Sequence, residues 1–299
     1  MMEEMVERNE KNLFFRQYLN RGIRENLFSD VAGALGHMQS QVVRSAAPLL
    51  LGRSIIETRQ TKEPFEKFAL DSKAVAYSYV EGAATRFSGR KNDFVVVDTN
   101  IFAESSEQWT REFLEDATWN VMQSIDEKIG KALAEDETKT VLDLYESVDA
   151  EDLAGGGFVD QGSEVIDWNA IQKLHSAVRG ENWRPTVLVL NETQLSQLLL
   201  DDKFIDYDSL PSSEVDIEQG TIRKIVGMRV HSSTLVPNGT AYAIDTRVAG
   251  IMLIRRDVAV EDWSEPKVGQ YGVRATTRFG LGILRSKAIA KMVNIKTTL

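Results

Sequence analysis

The chain has 299 residues, a formal net charge of −10, no cysteine and 42% hydrophobic residues. Without cysteine there are no disulfides and no thiolate chemistry, so packing, hydrogen bonds and assembly must hold the fold. The acidic balance argues against a surface that coats nucleic acid, and no apolar run approaches the roughly 20 residues that a membrane helix needs.

In chain order, residues 1–50 carry a mildly amphipathic helical pattern at Leu13, Phe14, Phe15, Tyr18, Leu19 and Ile23, with a second short one over 31–43. Gly22, Gly33, Gly36 and Pro48 interrupt it. Such a segment cannot form a core alone and reads as an arm laid across a neighbour. The N-terminus lacks the basic-then-apolar layout of a signal peptide, so the expectation is a chain that stays in the cytoplasm where it is made. Two β-type runs, 74–80 and 94–97, flank a polar turn region, 82–93, and predict a long hairpin. Its tip, with Arg90 and Lys91, is too polar for a core, and a projecting hairpin needs a partner surface.

Residues 104–137 predict one long amphipathic helix. Ser105 and Gln108 have capping-box spacing, and Trp109, Phe113, Ala117, Val121, Ile125, Ile129 and Leu133 recur every four residues. Acids, Glu115 and Asp116 among them, dominate from Glu104 to Asp167, whereas after Glu265 there is no acid and the tail carries Arg274 and Arg278. Opposite-sign segments suit a repeated subunit contact, and they equally suit two solvated faces of a monomer. The Gly-rich, acidic stretch 145–167 reads as a linker or mobile loop, and no GK[ST] or GxGxxG pattern turns its Gly triplet into a phosphate cradle.

The pattern then becomes α/β. Asp167 caps a helix with Ile171, Leu174 and Val178 on one face, residues 185–190 form an apolar central strand, and Asn191 caps a helix bearing Leu195, Leu198 and Leu199. Two strand-like runs surround Gly227, and further strands are expected over 241–245, 248–254, 271–284 and 288–293.

Nothing in the sequence marks catalysis. His37, His175 and His231 stand far apart outside any zinc motif, and no nucleophile elbow, kinase signature or P-loop occurs. The acidic loop 201–208 offers hard oxygen ligands but lacks EF-hand spacing and reads as a solvated loop. No catalytic, cofactor or metal residue is assigned, and no cofactor is expected.

The order of these elements resembles the major capsid proteins of tailed phages and related archaeal viruses, the Hong Kong 97-type fold. Phe113-Leu114-Glu115-Asp116-Ala117 is similar to that family's acidic-leucine-acidic lead-in to its backbone helix, and Ala243-Ile244-Asp245 and 268–291 are similar to strands of its axial and closing regions. The resemblance implies an α+β chain with an N-terminal arm (1–54), an extended loop hairpin (55–103), a peripheral domain with the long helix (104–160), an axial α/β domain (161–265) and closing strands that return to the peripheral domain (266–299). It implies a structural protein of a bacteriophage virion and not an enzyme, self-assembling as pentamers and hexamers into an icosahedral shell around double-stranded DNA. That shell would enclose the DNA without sequence-specific binding and would use no membrane. It would be assembled in the host cytoplasm, with scaffolding, portal and decoration proteins as further partners. Glu115, Asp116, Arg90, Lys91, Arg274 and Arg278 are the expected subunit-interface residues. An encapsulin nanocompartment shell around a cargo enzyme is the nearest alternative, and a metal-dependent α/β enzyme using the acidic loop the more distant one.

Overall fold

The computed structural model describes residues 51–71, 92–110, 121–201, 215–216, 221–265 and 269–298, with positions 40, 42 and 267. Its α+β fold divides into two compact units. One contains Phe102–Thr138 and Arg256–Arg278, and the other Leu51–Ile101, Lys139–Arg255 and Phe279–Leu299.

A short helix α1 (Leu51–Ile55) leads into β1 (Glu57–Gln60), β2 (Phe65–Asp71), β3 (Asn92–Asp98) and β4 (Ile101–Thr110). The long helix α2 (Val121–Glu146) is followed by β5 (Val159–Asp160), α3 (Trp168–Gly180), β6 (Val187–Leu190) and α4 (Glu192–Leu199). Next come β7 (Val215–Asp216), β8 (Thr221–Ile222), β9 (Lys224–Ile225), β10 (Met228–Ser232) and β11 (Ala241–Ile244). Two long strands, β12 (Gly250–Glu265) and β13 (Gln270–Ile283), precede the last one, β14 (Ile289–Val293).

The second unit is built on a six-stranded sheet in the order β5-β14-β11-β6-β10-β9. Its centre is the apolar run of β6, parallel to β10 and antiparallel to β11, with all four residues buried. The helices on it start where the sequence predicts. The Asp167 carboxylate accepts the Ala170 N–H at 2.8 Å, and Asn191 Oδ1 accepts the Thr193 N–H at 3.0 Å, each satisfying a donor left open in a first helical turn. Ile171, Leu174, Val178, Leu195 and Leu198 then join one core with Leu188, Leu190, Ala243, Ala290 and Met292 from alternate sheet positions. Burying each large aliphatic side chain contributes about 1.5–3 kcal/mol. The other face carries Val187, Val189, Tyr242, Ile244 and Ile289, also fully buried. At the end of β11, the expected Ala-Ile-Asp closes a corner, because the buried Asp245 carboxylate accepts both the Arg184 N–H and the Arg247 Nε–H at 3.1 Å.

A four-stranded sheet has the order β1-β12-β13-β4, with β1 parallel to the start of β12 in the register Glu57↔Ile251. Within it, Gly280 lies so close to Asp98 that any Cβ would strike the Asp98 carbonyl.

Four expectations change. Residues 101–110 form a strand and not the start of the long helix, so Ser105 and Gln108 are not a capping box. The burial of β4 alternates, with Ile101, Ala103, Ser105, Glu107 and Trp109 facing inward. Serine and glutamate at two inward positions hide that period of two, and Trp109 falls into the helical spacing by coincidence. At its other end the helix runs past Glu137 to Glu146, the four-residue stripe continuing through Val141 and Tyr145. The strand that pairs with β3 is β2, Phe65↔Asp98 to Asp71↔Asn92, whereas 74–80 lies outside the described residues. The Gly-rich stretch is packed: Leu153 and Ala154 are fully buried, and Gly155 and Gly156 take positive φ of 81° and 73° in the turn behind them. Finally, β14 lies in the six-stranded sheet between β5 and β11, a placement set by long-range pairing that local pattern does not encode.

Candidate assembly surfaces

The β2–β3 hairpin has two unlike faces. Directly paired residues of an antiparallel ladder share a face. Phe68, Val95 and Val97 therefore turn together onto Ile251, Leu253 and Leu284. Phe65, Lys67, Phe94 and Val96 turn the opposite way, where Phe65 is 47%, Phe94 60% and Val96 44% exposed. Lys67 Nζ stands 6.0 and 5.4 Å from the Phe65 and Phe94 ring centroids, so its cation covers part of the aromatic surface. Thr99 fixes the hairpin base, its N–H and Oγ1 both donating to the Pro64 carbonyl at 2.9 and 3.0 Å. The result is an exposed, largely apolar face with one cation on it, held on a braced two-stranded platform, the pattern of a surface meant to be covered.

Of the expected interface residues, Arg90, Lys91, Glu115 and Asp116 lie outside the described residues. Arg274 and Arg278 share a face of β13, and each reaches β4. Arg274 donates to Glu104 Oε2 at 2.7 Å, and the Arg278 guanidinium lies 4.7 Å from the centre of the Phe102 ring, itself 64% exposed. Both cations thus have a partner within their own chain. The ion pair is half exposed and contributes on the order of 0.2–1 kcal/mol. Phe102 and Glu104 are adjacent outward positions of β4, a signal hidden once that strand is read as helix.

A second polar centre has no counterpart in the sequence reading. Lys291 on β14 is only 5% exposed, and its Nζ lies 2.5 Å from Glu146 Oε1 at the end of α2. The Tyr242 hydroxyl donates to Glu146 Oε2, and the Phe158 and Tyr242 rings stand 5.1 and 5.8 Å from the ammonium. Burial raises the affinity of Glu146 for a proton, but hydrogen bonds from Lys291 and Tyr242 and the lysine charge outweigh it and hold the carboxyl below its ordinary value. Burial, then Glu146, pushes the Tyr242 phenol well up. The arrangement ties the last turn of α2 to the second face of the six-stranded sheet. Among the described residues, no group of three or more His, Cys, Asp or Glu side chains is placed to hold a metal ion. Of the acidic loop 201–208, only Asp201 is described, and its carboxylate accepts the Trp168 N–H at 3.0 Å. His37 is outside the described residues, while His175 on α3 and His231 on β10 are each half-buried.

Residues 105–292 match the family model for phage capsid protein. The chain belongs to that capsid family. Its fold is the Hong Kong 97-type capsid fold, as three solved structures make plain. The capsid of the cyanophage P-SCSP1u aligns over 80% of this chain and 86% of its own at a TM-score of 0.65 and 12% identity. Mycobacterium phage Che8 aligns over 77% and 85% at 0.61 and 15%. The holo-SrpI encapsulin of Synechococcus elongatus aligns over 86% and 90% at 0.58 and 12%. No curated protein sequence matches the chain. In this capsid protein, then, the bare hairpin face and the β4–β13 surface are candidates for contact between subunits. No described helix is long and apolar enough to cross a membrane.

Proposed function

We propose that this capsid protein self-assembles as pentamers and hexamers into an icosahedral shell that encloses double-stranded DNA, and that it acts as a structural protein and not as an enzyme. The observation that carries this reading is the outward face of the β2–β3 hairpin, an apolar surface that stands about half exposed among the described residues. A heterologous contact that covers this face with a neighbour repeats around a ring and closes it into a capsomer. Curvature between rings then closes the shell. Further contacts pair Arg90 and Lys91 of one subunit with Glu115 and Asp116 of another, while Arg274 and Arg278 lie at the rim of the contact beside Glu104 and Phe102. The net charge of −10 suits a wall that must not hold fast to the genome inside it. Assembly takes place in the host cytoplasm with scaffolding, portal and decoration proteins as partners, and the finished subunit resides in the virion. An encapsulin would use the same shell for a different cargo, and the family match favours the phage reading.

Light scattering with negative-stain electron microscopy of the protein expressed alone tests the proposal. Closed particles, rings or tubes are expected, and a monodisperse monomer at all concentrations contradicts it. Replacing Glu115 and Asp116 by lysine is expected to impair assembly while the subunit stays folded, and normal shells from that variant would remove those residues from the interface.

A further inference from the structure

Past β14 the backbone bends at Asn294, whose φ is 57°, and runs on between two loops of the same unit. The Asn294 carbonyl accepts the Ser163 N–H at 2.7 Å, the Ile295 N–H donates to the Gly239 carbonyl at 3.1 Å, and the Lys296 N–H donates to the Glu164 carbonyl at 2.9 Å. Gly239 takes a φ of 85°, and a Cβ there would stand 3.0 Å from the Ile295 carbonyl oxygen, so glycine permits both the turn and the close passage. Ile295 is buried in the sheet core, whereas the side chains of Lys296, Thr297 and Thr298 are exposed. Packing therefore anchors the chain as far as Ile295, and something else holds residues 296–298.

That hold comes from three carboxamides, and each grips main-chain carbonyls. Gln197 on α4, 5% exposed, donates from Nε2 to the Lys296 and Thr298 carbonyls at 2.8 and 2.9 Å, while its Oε1 accepts the Ile166 N–H at 3.2 Å. The fully buried Gln194 donates to the Lys296 carbonyl at 3.3 Å and to Asn238 Oδ1 at 2.7 Å, and Asn238 Nδ2 donates to the Thr297 carbonyl at 3.2 Å. Releasing the segment exposes little apolar surface and exchanges these bonds for bonds to water, so each contributes little net. Closure also has a cost, because Gln194 Oε1 is buried and meets no donor among the described residues, and release opens it to solvent. Segments with few buried apolar contacts open well below the free energy of global unfolding. We propose that residues 296–298 are a latch, read by its backbone alone, that opens from α4 and closes again while the six-stranded sheet stays folded. The latch is a property of the single subunit and stands apart from the shell reading above.

Amide hydrogen exchange of the full-length chain, followed by mass spectrometry and expressed as protection over the intrinsic rate, tests it. Residues 296–298 are expected to be protected, but roughly a hundredfold less than β14, although the Lys296 amide is hydrogen-bonded. Gln197→Glu keeps the acceptor for Ile166 and removes both donors to the segment, so protection at 296–298 is expected to fall roughly tenfold further while that of β14 holds. Asn238→Asp, at an exposed position, keeps the acceptor for Gln194 and loses the donor to Thr297. It carries the test, with a smaller fall, if Gln197→Glu prevents folding. K296A/T297A/T298A leaves every gripped carbonyl in place and is expected to change protection less than twofold. Equal protection of 296–298 and β14 in the wild type overturns the proposal, since the segment then opens only when the sheet does, and so does an absence of any protection at 296–298. Equal losses in the segment and in β14 on Gln197→Glu overturn it too and make Gln197 a structural brace. A triple alanine variant that opens as far as Gln197→Glu overturns the backbone reading.

Discussion

The six-stranded sheet and the β2–β3 hairpin are both made of short strands, but their surroundings differ. Each face of the sheet is covered by its own chain: α3 and α4 close one, and Val187, Val189, Ile244 and Ile289 on the other are fully buried. Among the described residues, the hairpin is covered where Phe68, Val95 and Val97 meet Ile251 and Leu253, while Phe65, Phe94 and Val96 stand 47%, 60% and 44% exposed. A region with both faces closed carries its stability within the subunit. A region with one face bare carries part of its stability in a contact that has yet to form. Substitutions in the two regions should therefore separate subunit stability from assembly.

The largest loss of subunit stability is expected from Leu188→Ala at the centre of β6, about 2–5 kcal/mol by chemical denaturation, because the packed sheet cannot collapse into the cavity. Gly280→Ala comes next, at roughly 1–3 kcal/mol, since the new methyl meets the rigid Asp98 backbone and not a side chain that can swing away. Either substitution lowers particle yield only through lost folding.

The Glu146 centre sharpens the comparison, because its two partners are unequally buried. Glu146→Gln leaves the buried Lys291 ammonium without its anion and is expected to cost about 2 kcal/mol, below the roughly 3–5 of a fully buried pair because Glu146 itself is half exposed. Lys291→Met leaves a carboxylate that water reaches and is expected to be close to neutral. The stabilisation from this carboxylate is full above its ordinary value of 4.5 and is lost as pH falls through its lowered one, so the acid limb of the stability profile should flatten in Glu146→Gln.

A smaller, pH-dependent effect belongs to α2. Burial, with Glu127 beside it, pushes the Asp126 carboxyl from 3.8 up to about 7. The folded state then holds a proton that the unfolded state releases, so stability falls as pH rises across that window. Asp126→Asn is expected to remove the fall, seen as a smaller difference between melts at pH 5 and pH 8.

Much of the sheet region is legible in the sequence, because its signals are local. Asp167 and Asn191 stand where a helix needs a cap, β6 is an unbroken apolar run, and Gly227 marks a turn. The signals lost are those that depend on distant partners. Glu104 and Arg274 are 170 residues apart, as far beyond local pattern as Glu146 and Lys291 at 145. The strand β4 reads as helix because polar side chains occupy two of its inward positions. The stretch around Gly155 reads as a linker because composition reports turns and does not report that Leu153 and Ala154 are buried. The outward face of the hairpin is half legible. Phe94 and Val96 alternate as a strand should, but their exposure emerges only once β2 supplies the register.

The smallest effect on the subunit should accompany the largest effect on the shell. Phe65→Ser with Phe94→Ser changes side chains that already face water, so the isolated subunit is expected to keep its stability within about 0.5 kcal/mol. The deciding measurement is the particle yield of this double variant beside the wild type, by sedimentation and electron microscopy at equal concentration, with the melting curve of each subunit in parallel. We expect closed particles from the wild type, few or none from the variant, and superimposable melts. Equal yields, or a wild type that stays monomeric, would contradict the claim that a neighbouring subunit covers the hairpin.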